Sequence, residues 1–167
     1  MIFDVTDAEQ IQGAVGQVDG LDILINNAGV SVPDDLSDRS ALEQHLAVNL
    51  YGTRDVTWAL LPWLGRRQGA VVNVVSLGAV AAVPVLAAYS VSKAALLSVT
   101  QSLRALLAGR GVSVHAVMPG PIDTDMVRAL VISKALPEDV PWATWDGVER
   151  APAGDQRARD RRDRRLP

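Results

Sequence analysis

The sequence predicts an α/β fold in which helices flank a doubly wound parallel sheet. Short apolar runs rich in β-branched residues alternate with segments of helical periodicity, and a polar or Gly-Pro cluster follows each run. This alternation is typical of parallel strands joined by helical crossovers, and apolar strands are typical of a sheet covered on both faces. In such folds ligands bind at the carboxyl ends of the strands.

The elements follow one another along the chain. Thr6 and Glu9 have the spacing of a capping box, which predicts a first helix that ends near Gly20. Strands are predicted at 21–26, 70–76 and 112–117, and helices at 42–62 and 89–107.

Composition excludes several classes of protein. The chain has 167 residues and no cysteine, so it has no disulfide scaffold, zinc–thiolate site or cysteine nucleophile. No apolar run is long enough for a membrane-spanning helix, and the N-terminus has no signal-peptide pattern, so we expect a cytoplasmic protein without a membrane partner. The net charge is −3, and only residues 150–167, with seven Arg and three Asp, are basic. The acidic remainder has no general attraction for nucleic acid.

Polar side chains with useful chemistry stand near the predicted strand ends. Tyr89 and Lys93 are four residues apart, which places both on one helix face. An ammonium beside a phenol lowers the pKa of the tyrosine, which suits the pair to proton transfer near neutral pH. Ser76 ends the second strand, where its hydroxyl can hydrogen-bond a substrate oxygen. Asn49 lies on an apolar helix stripe, where its amide needs a backbone or water partner.

Each of these features also has a purely structural interpretation. A Tyr–Lys pair at this spacing is common, a serine after a strand is usually a turn or cap residue, and a buried asparagine is usually a structural bridge. Asn26-Asn27-Ala28-Gly29 suits a tight turn, because Asn and Gly tolerate positive φ. Their occurrence together, in this order and at strand ends, favours the chemical interpretation.

Over about residues 1 to 130 the motifs together resemble the short-chain dehydrogenases/reductases. They are Asp4-Val5, Asn26-Asn27-Ala28-Gly29, Asn49 within Val-Asn-Leu, Ser76, the YxxxK motif of Tyr89 to Lys93, and Pro119-Gly120-Pro121-Ile122-Asp123-Thr124. The resemblance implies a partial Rossmann-like fold. It also implies an oxidoreductase that transfers a hydride between NAD or NADP and a small-molecule alcohol or ketone.

The resemblance implies a role for each matched residue and no metal site. Tyr89 would be the general acid/base, Lys93 would lower its pKa and hold the nicotinamide ribose, and Ser76 would orient the substrate carbonyl. Asn49 would support a water that passes protons to Lys93. Further cofactor contacts would come from Asp4 and Val5 at the adenine, from Asn26, Ala28 and Gly29 on the adenosine side, and from Pro119, Gly120, Ile122 and Thr124 at the nicotinamide end. The helices that carry Asn49 and Tyr89 would form a homo-oligomer interface.

The sequence departs from the family pattern at both ends. No Gly-rich cofactor turn precedes Asn26, so we expect an incomplete, N-terminally truncated domain over 1–149 with impaired activity, followed by a disordered Arg-rich tail over 150–167. By the resemblance, residues 1–3 would be the end of the family's third strand, and residues 136–150 would be the helix before its last strand. Strand 21–26 would be an exposed apolar edge. In the family, the loop after Ser76 and the segment after Thr124 shape the substrate pocket. Here residues 77–86 and 126–132 are mostly small or apolar, which favours an apolar alcohol or ketone.

Two other functions compete with the oxidoreductase. A non-catalytic fragment would act as a dimerisation partner of a full-length homologue through the same two helices. Nucleic-acid binding by the tail is disfavoured, because Asp interrupts the Arg run and no aromatic residue is interleaved.

His45 and His115 lack metal-ligand spacing and are expected to be structural or exposed. The acidic loop formed by Asp34, Asp35 and Asp38 is expected to be solvated.

The missing Gly-rich turn generates a first prediction. Without its backbone N–H groups the pyrophosphate loses its main anchor, so the purified 167-residue chain should bind NADH and NADPH weakly or not at all. Calorimetric titration with each cofactor measures this, and micromolar binding would refute the prediction.

Overall fold

Three parallel strands form one sheet in the computed structural model, which describes residues 1–127 and 133–150. The strands are β1 (Ile23–Asn26), β2 (Ala70–Val74) and β3 (Ser113–Val117), paired in that order. In the register Leu24 lies beside Val71, and Val71 beside Val114. The parallel α/β fold is therefore confirmed, with each strand one or more residues shorter than its apolar run.

Helices precede, connect and follow these strands. In chain order they are α1 (Ala8–Val15), α2 (Arg39–Leu46), a π-helix (Ala47–Gly52), α3 (Thr53–Arg67), α4 (Ala87–Leu107) and α5 (Asp139–Arg150). Single 3₁₀ turns occur at Leu77–Ala79, Ala108–Arg110 and Asp125–Val127. The segments α2, π-helix and α3 follow one another without a break and join β1 to β2. Helix α4 joins β2 to β3.

One apolar cluster holds the sheet to α1, α3 and α4. Leu24, Val71 and Val114 pack in it with Leu64 and Leu103, all nearly inaccessible to solvent. Burying each such side chain contributes about 1.5–3 kcal/mol. On the opposite face of β1, Ile25 is 60% exposed. Within the described residues β1 pairs only with β2, as the predicted exposed apolar edge requires.

The first helix begins and ends elsewhere than the sequence predicts. Its N-cap is Asp7 rather than Thr6, because the Asp7 carboxylate accepts hydrogen bonds from the backbone N–H groups of Glu9 and Gln10 at 2.9 and 3.0 Å. The helix ends at Val15, well before Gly20. The strand predicted at residues 1–3 is not formed, since no strand among the described residues lies beside them to pair with.

Helix α3 continues beyond Pro62, where the sequence predicts its end. The buried side chains of Leu61 and Leu64 extend the apolar stripe into the core, and their burial outweighs the one backbone hydrogen bond that a proline lacks. The helix stops at Gln68, which adopts a left-handed conformation with φ of 51°. The helix predicted at 136–150 is present as α5 and begins at Asp139.

Two predictions concern segments outside the described residues. These are the disordered tail from residue 151 onward and most of the predicted substrate segment, at 128–132. In the part of the chain that the structure describes, no helix is long and apolar enough to cross a membrane.

The tight turn from α3 into β2 generates a stability prediction. A Cβ on Gly69 would overlap the carbonyl oxygen of Asp22, which is already fixed as the acceptor of the Ala70 N–H at 2.8 Å. We expect Gly69→Ala to lower the free energy of unfolding by about 1–3 kcal/mol. In the control Gly65→Ala the new Cβ meets nothing within 4 Å inside helix α3, so stability should rise by about 0.5–1 kcal/mol. Urea denaturation separates the two variants, and equal effects would contradict the contact.

Candidate active site at the carboxyl ends of the strands

Tyr89 and Ser76 meet where β2 ends and α4 begins. Ser76 follows β2 and caps the turn Leu77–Ala79, with its Oγ accepting a hydrogen bond from the Gly78 N–H at 3.1 Å. Tyr89 is in the first turn of α4, and its side chain lies near that of Ser76, which influences the pKa of the tyrosine. A Cβ on Gly78 would lie 3.4 Å from the Ser76 Oγ and 3.6 Å from the Tyr89 ring, so glycine leaves this pair room. Gly78 was not predicted as a site residue.

Lys93 lies one turn further along α4 and is almost completely buried. Its Nζ donates a hydrogen bond to the carbonyl oxygen of Val74, the last residue of β2, at 2.8 Å. It also lies 5.7 Å from the centroid of the Tyr89 ring. Burial lowers the pKa of Lys93 to about 8. Because one carbonyl uses only one of its three donors, the ammonium keeps hydrogen-bonding capacity for another group.

The effect of Lys93 on Tyr89 differs from the one predicted. Burial raises the pKa of Tyr89, and the neighbouring Ser76 side chain only partly opposes this rise. The expected lowering by Lys93 is not found, because its ammonium is bound to the Val74 carbonyl and lies by the aromatic ring. In this structure Tyr89 is therefore a phenol at neutral pH.

Asn49 is fully buried in the π-helix, where all of its amide is in use. Its Oδ1 accepts from the Val30 N–H at 2.8 Å, and its Nδ2 donates to the Val30 carbonyl oxygen at 3.0 Å and to the Ser92 Oγ at 2.9 Å. Short π-helical insertions in α-helices are frequent at functional sites. The predicted need for a polar partner is met by backbone groups and a hydroxyl, and the role of Asn49 in a water relay stays a prediction.

The segment after β1 approaches this group as extended chain. Asn26 ends β1, no turn follows it at residues 27–30, and Gly29 has no positive φ, so the alternative interpretation of Asn26–Gly29 as a tight turn is wrong. A Cβ on Gly29 would lie 3.2 Å from the Asn49 Oδ1 and 3.7 Å from the Lys93 Nζ, so this glycine is there for space. Ala28 is exposed beside it.

The Asn26 side chain hydrogen-bonds within the core. Its Nδ2 donates to the Thr57 Oγ1 at 2.9 Å and to the Asn73 Oδ1 at 2.8 Å, and Asn73 in turn donates to the Thr100 Oγ1 at 2.9 Å. This buried chain joins β1 and β2 to α3 and α4. Both hydrogens of the Asn26 amide are thus in use, which leaves its Oδ1 and its backbone for the predicted cofactor contact.

Two of the predicted cofactor residues lie by the N-terminal segment. The Asp4 carboxylate is exposed and accepts from the N–H and the hydroxyl of Thr6, both at 2.8 Å, which lowers its pKa. Val5 packs against Gly52 at the end of the π-helix, where a Cβ would lie only 2.8 Å from the valine. Their predicted contacts with adenine stay predictions.

The other predicted cofactor residues follow β3. The Pro119 carbonyl accepts from the Leu77 N–H at 3.0 Å, which places this segment next to Ser76. Pro119, Gly120 and Ile122 line a cavity of about 530 Å³ between β3 and α5 that contains none of the four predicted catalytic residues. Thr124 is exposed, and its hydroxyl donates to the Ile122 carbonyl at 3.3 Å.

Two residues near Tyr89, His45 and Asp34, were not predicted as part of the site. His45 is fully buried, with its ring 6.4 Å from that of Tyr89, and Asp34, predicted to be solvated, accepts from the N–H of Ala88. The signal that could have found His45 is its place in the sequence, as a polar residue in an apolar helix stripe like that of Asn49. Among the described residues no group of three or more His, Cys, Asp or Glu is placed to hold a metal ion.

Residues 1–134 match the family model of the short chain dehydrogenases. Among curated proteins, 2-(S)-hydroxypropyl-CoM dehydrogenase 3 of Xanthobacter autotrophicus is 37% identical over 81% of this chain and 56% of its own length. A 3-oxoacyl-(acyl-carrier-protein) reductase of Aquifex aeolicus is 42% identical over 79% of this chain and 55% of its own. The chain thus spans about half the length of these relatives.

A solved structure shows the same similarity. A short chain dehydrogenase from Burkholderia cenocepacia J2315, in complex with NADP, superposes with a TM-score of 0.85 at 35% identity, over 91% of this chain and 67% of that one. The relatives and this neighbour are dehydrogenases and reductases, which does not favour the interaction-partner alternative.

The buried lysine generates a prediction about pH. The pKa of Lys93 is about 8 when folded and near 10.5 when unfolded, so the unfolded chain binds more protons between these values and stability rises with pH across them. Relative to Lys93→Met, the unmodified chain should gain on the order of 3 kcal/mol in free energy of unfolding from about pH 7 to about pH 11.

Urea denaturation at a series of pH values measures this gain. Lys134, the other lysine of the chain, provides the control, since Lys134→Met should leave the rise in place. A pH profile that Lys93→Met does not alter would show that the ammonium is solvated.

Proposed function

This chain belongs to the short-chain dehydrogenase family, and on that premise we propose that it is an NAD(P)-dependent oxidoreductase that acts on an alcohol or a carbonyl. The observation that carries the proposal is the group formed by Tyr89, Ser76 and Lys93 at the carboxyl ends of parallel strands. A phenol beside a hydroxyl and a buried ammonium is equipped to hold a carbonyl oxygen and to give it a proton.

The residues of this site fit the nicotinamide half of the cofactor. The free donors of Lys93 suit ribose hydroxyls, and the missing Cβ of Gly29 leaves space directly beside its Nζ. Lys93, Tyr89 and the backbone of Pro119 would hold this half, and Gly29 would adjoin it from the adenosine side. When bound, NAD or NADP supplies or accepts the hydride. The NADP in the Burkholderia structure supports this class of cofactor.

The protein's own residues act on the substrate oxygen. Ser76 donates a hydrogen bond to it and fixes its position beside the Tyr89 hydroxyl. As the substrate carbon gains a hydride, Tyr89 gives its proton to the oxygen, and the product is an alcohol. Burial keeps Tyr89 protonated at neutral pH, so it can donate its proton in the reduction of a carbonyl, and it must first lose that proton to act as the base in alcohol oxidation.

The surroundings of Ser76 support an apolar substrate. Leu77, Val80 and Val85, in the loop that follows Ser76, have exposed fractions of 49%, 66% and 56%. Such a surface stabilises an apolar group attached to the carbonyl better than a charged one. We therefore propose a small apolar ketone as the substrate class.

We also propose self-association through the helices that carry Asn49 and Tyr89. Large apolar side chains are exposed there: Tyr51 in the π-helix, Trp58 in α3, and Val91 and Leu106 in α4. Pairing these faces in a homo-oligomer would bury them from water.

Tyr89→Phe tests the proposed chemistry. Loss of the phenolic proton should lower the rate of ketone-dependent NADH or NADPH oxidation, measured with millimolar cofactor, by roughly 10²–10⁴-fold. Tyr51→Phe is the matched control, because Tyr51 is the only other tyrosine and is exposed, and it should keep the full rate. A measurable turnover that Tyr89→Phe keeps in full would count against the proposal.

A further inference from the structure

The helix that carries Tyr89 begins without a cap of its own. The N-cap residue of α4 is Leu86, whose side chain accepts no hydrogen bond. The first N–H groups of a helix lack partners within the helix, and those of a buried helix end need acceptors from elsewhere. Ala88, next to Tyr89, is completely buried, so its N–H requires an acceptor from the protein in place of water.

Asp34 supplies the missing acceptor from a distant part of the chain. Its two carboxylate oxygens lie 2.9 and 3.1 Å from the backbone nitrogen of Ala88, which donates to them across 54 residues of sequence. The Asp34 N–H donates in turn to the Val85 carbonyl at 3.2 Å. A carboxylate at a helix N-terminus is also stabilised by the helix dipole.

His45 holds the loop of Asp34 and the ring of Tyr89 together. Its Nδ1 lies 2.6 Å from the Ala41 carbonyl oxygen, which can only accept, and its Nε2 lies 3.0 Å from the Val32 N–H, which can only donate. The ring proton is therefore on Nδ1. The imidazole meets the Tyr89 ring edge to face, at an interplanar angle of 74°.

The neighbouring acids show that this arrangement is specific to Asp34. The Asp35 carboxylate accepts from the Ser37 N–H at 3.0 Å, and the Asp38 carboxylate accepts from Ser40 at the start of α2. Both are exposed and local in their contacts. Only Asp34 connects the loop to α4.

We propose that Asp34 is a positioning residue for Tyr89. Its carboxylate caps α4 in place of the absent local cap and, with His45 behind the ring, fixes the phenol against Ser76 and Lys93. The inference rests on the proposed function for the meaning of that position. The position itself is a property of the folded chain.

The experiment compares Asp34→Ala with Asp34→Asn and with the control Asp35→Ala. The chain carries ¹³Cζ-labelled tyrosine, so that Tyr89 and Tyr51 titrate separately by NMR, and amide hydrogen exchange follows Ala88. In Asp34→Ala we expect roughly tenfold or more faster exchange at Ala88. We also expect the Tyr89 pKa to fall toward that of a solvated tyrosine, near 10, because the ring loses part of its burial. Tyr51 should not change.

Asp34→Asn keeps an oxygen that accepts from Ala88 and should restore both signals, and Asp35→Ala should match the unmodified chain. If Asp34→Ala does not fold, Asp34→Glu replaces it, because that variant keeps the charge and displaces the carboxylate by one methylene. A folded alanine or glutamate variant with unchanged Tyr89 and Ala88 signals overturns the proposal, as does an asparagine variant no better than alanine. None of these signals needs turnover, so a failure of the proposed function would leave them unchanged.

Discussion

The site depends on one buried amide, that of Asn49. It joins three separate parts of the chain: the loop after β1 through both backbone groups of Val30, helix α4 through Ser92, and its own π-helix. Ser92 passes the connection on, since its hydroxyl also donates to the Tyr89 carbonyl oxygen at 2.7 Å. A buried amide left without partners is costly, so these parts are held in one relative position. The packing of Gly29 against the same amide follows from this constraint.

Burial shifts the pKa values of Lys93 and Tyr89 in opposite directions. It disfavours the charged form of each, so the pKa of Lys93 falls and that of Tyr89 rises. The Val74 carbonyl orients Lys93 by the Tyr89 ring and does not direct it at the phenol oxygen. The described residues therefore form a proton donor beside an ammonium with unused donors. This arrangement suits the reduction of a carbonyl.

Side chains with the same chemistry have different hydrogen-bond partners in the polar core and therefore different structural roles. Asn26 and Asn49 are both buried amides near strand ends. Asn26 is used within the chain that runs through Asn73 to Thr100, which fastens the strands to α3 and α4. Asn49 reaches the loop and the helix that carry the candidate site. The difference lies in which elements pack around each amide, and a single sequence does not contain that information.

The amino-acid sequence was sufficient to predict the parallel α/β fold, the three strands, the helix of Tyr89 and Lys93, and the position of Ser76 after β2. Periodicity and spacing act over one or two turns, and they are sufficient for these features. Four features came only from the packed structure: the cap of α4 by Asp34, the hydrogen bonds of the Asn26 amide within the core, the continuation of α3 through Pro62 and the raised pKa of Tyr89. Each depends on a contact or a degree of burial between residues far apart in the chain, and such contacts exist only once the elements have packed.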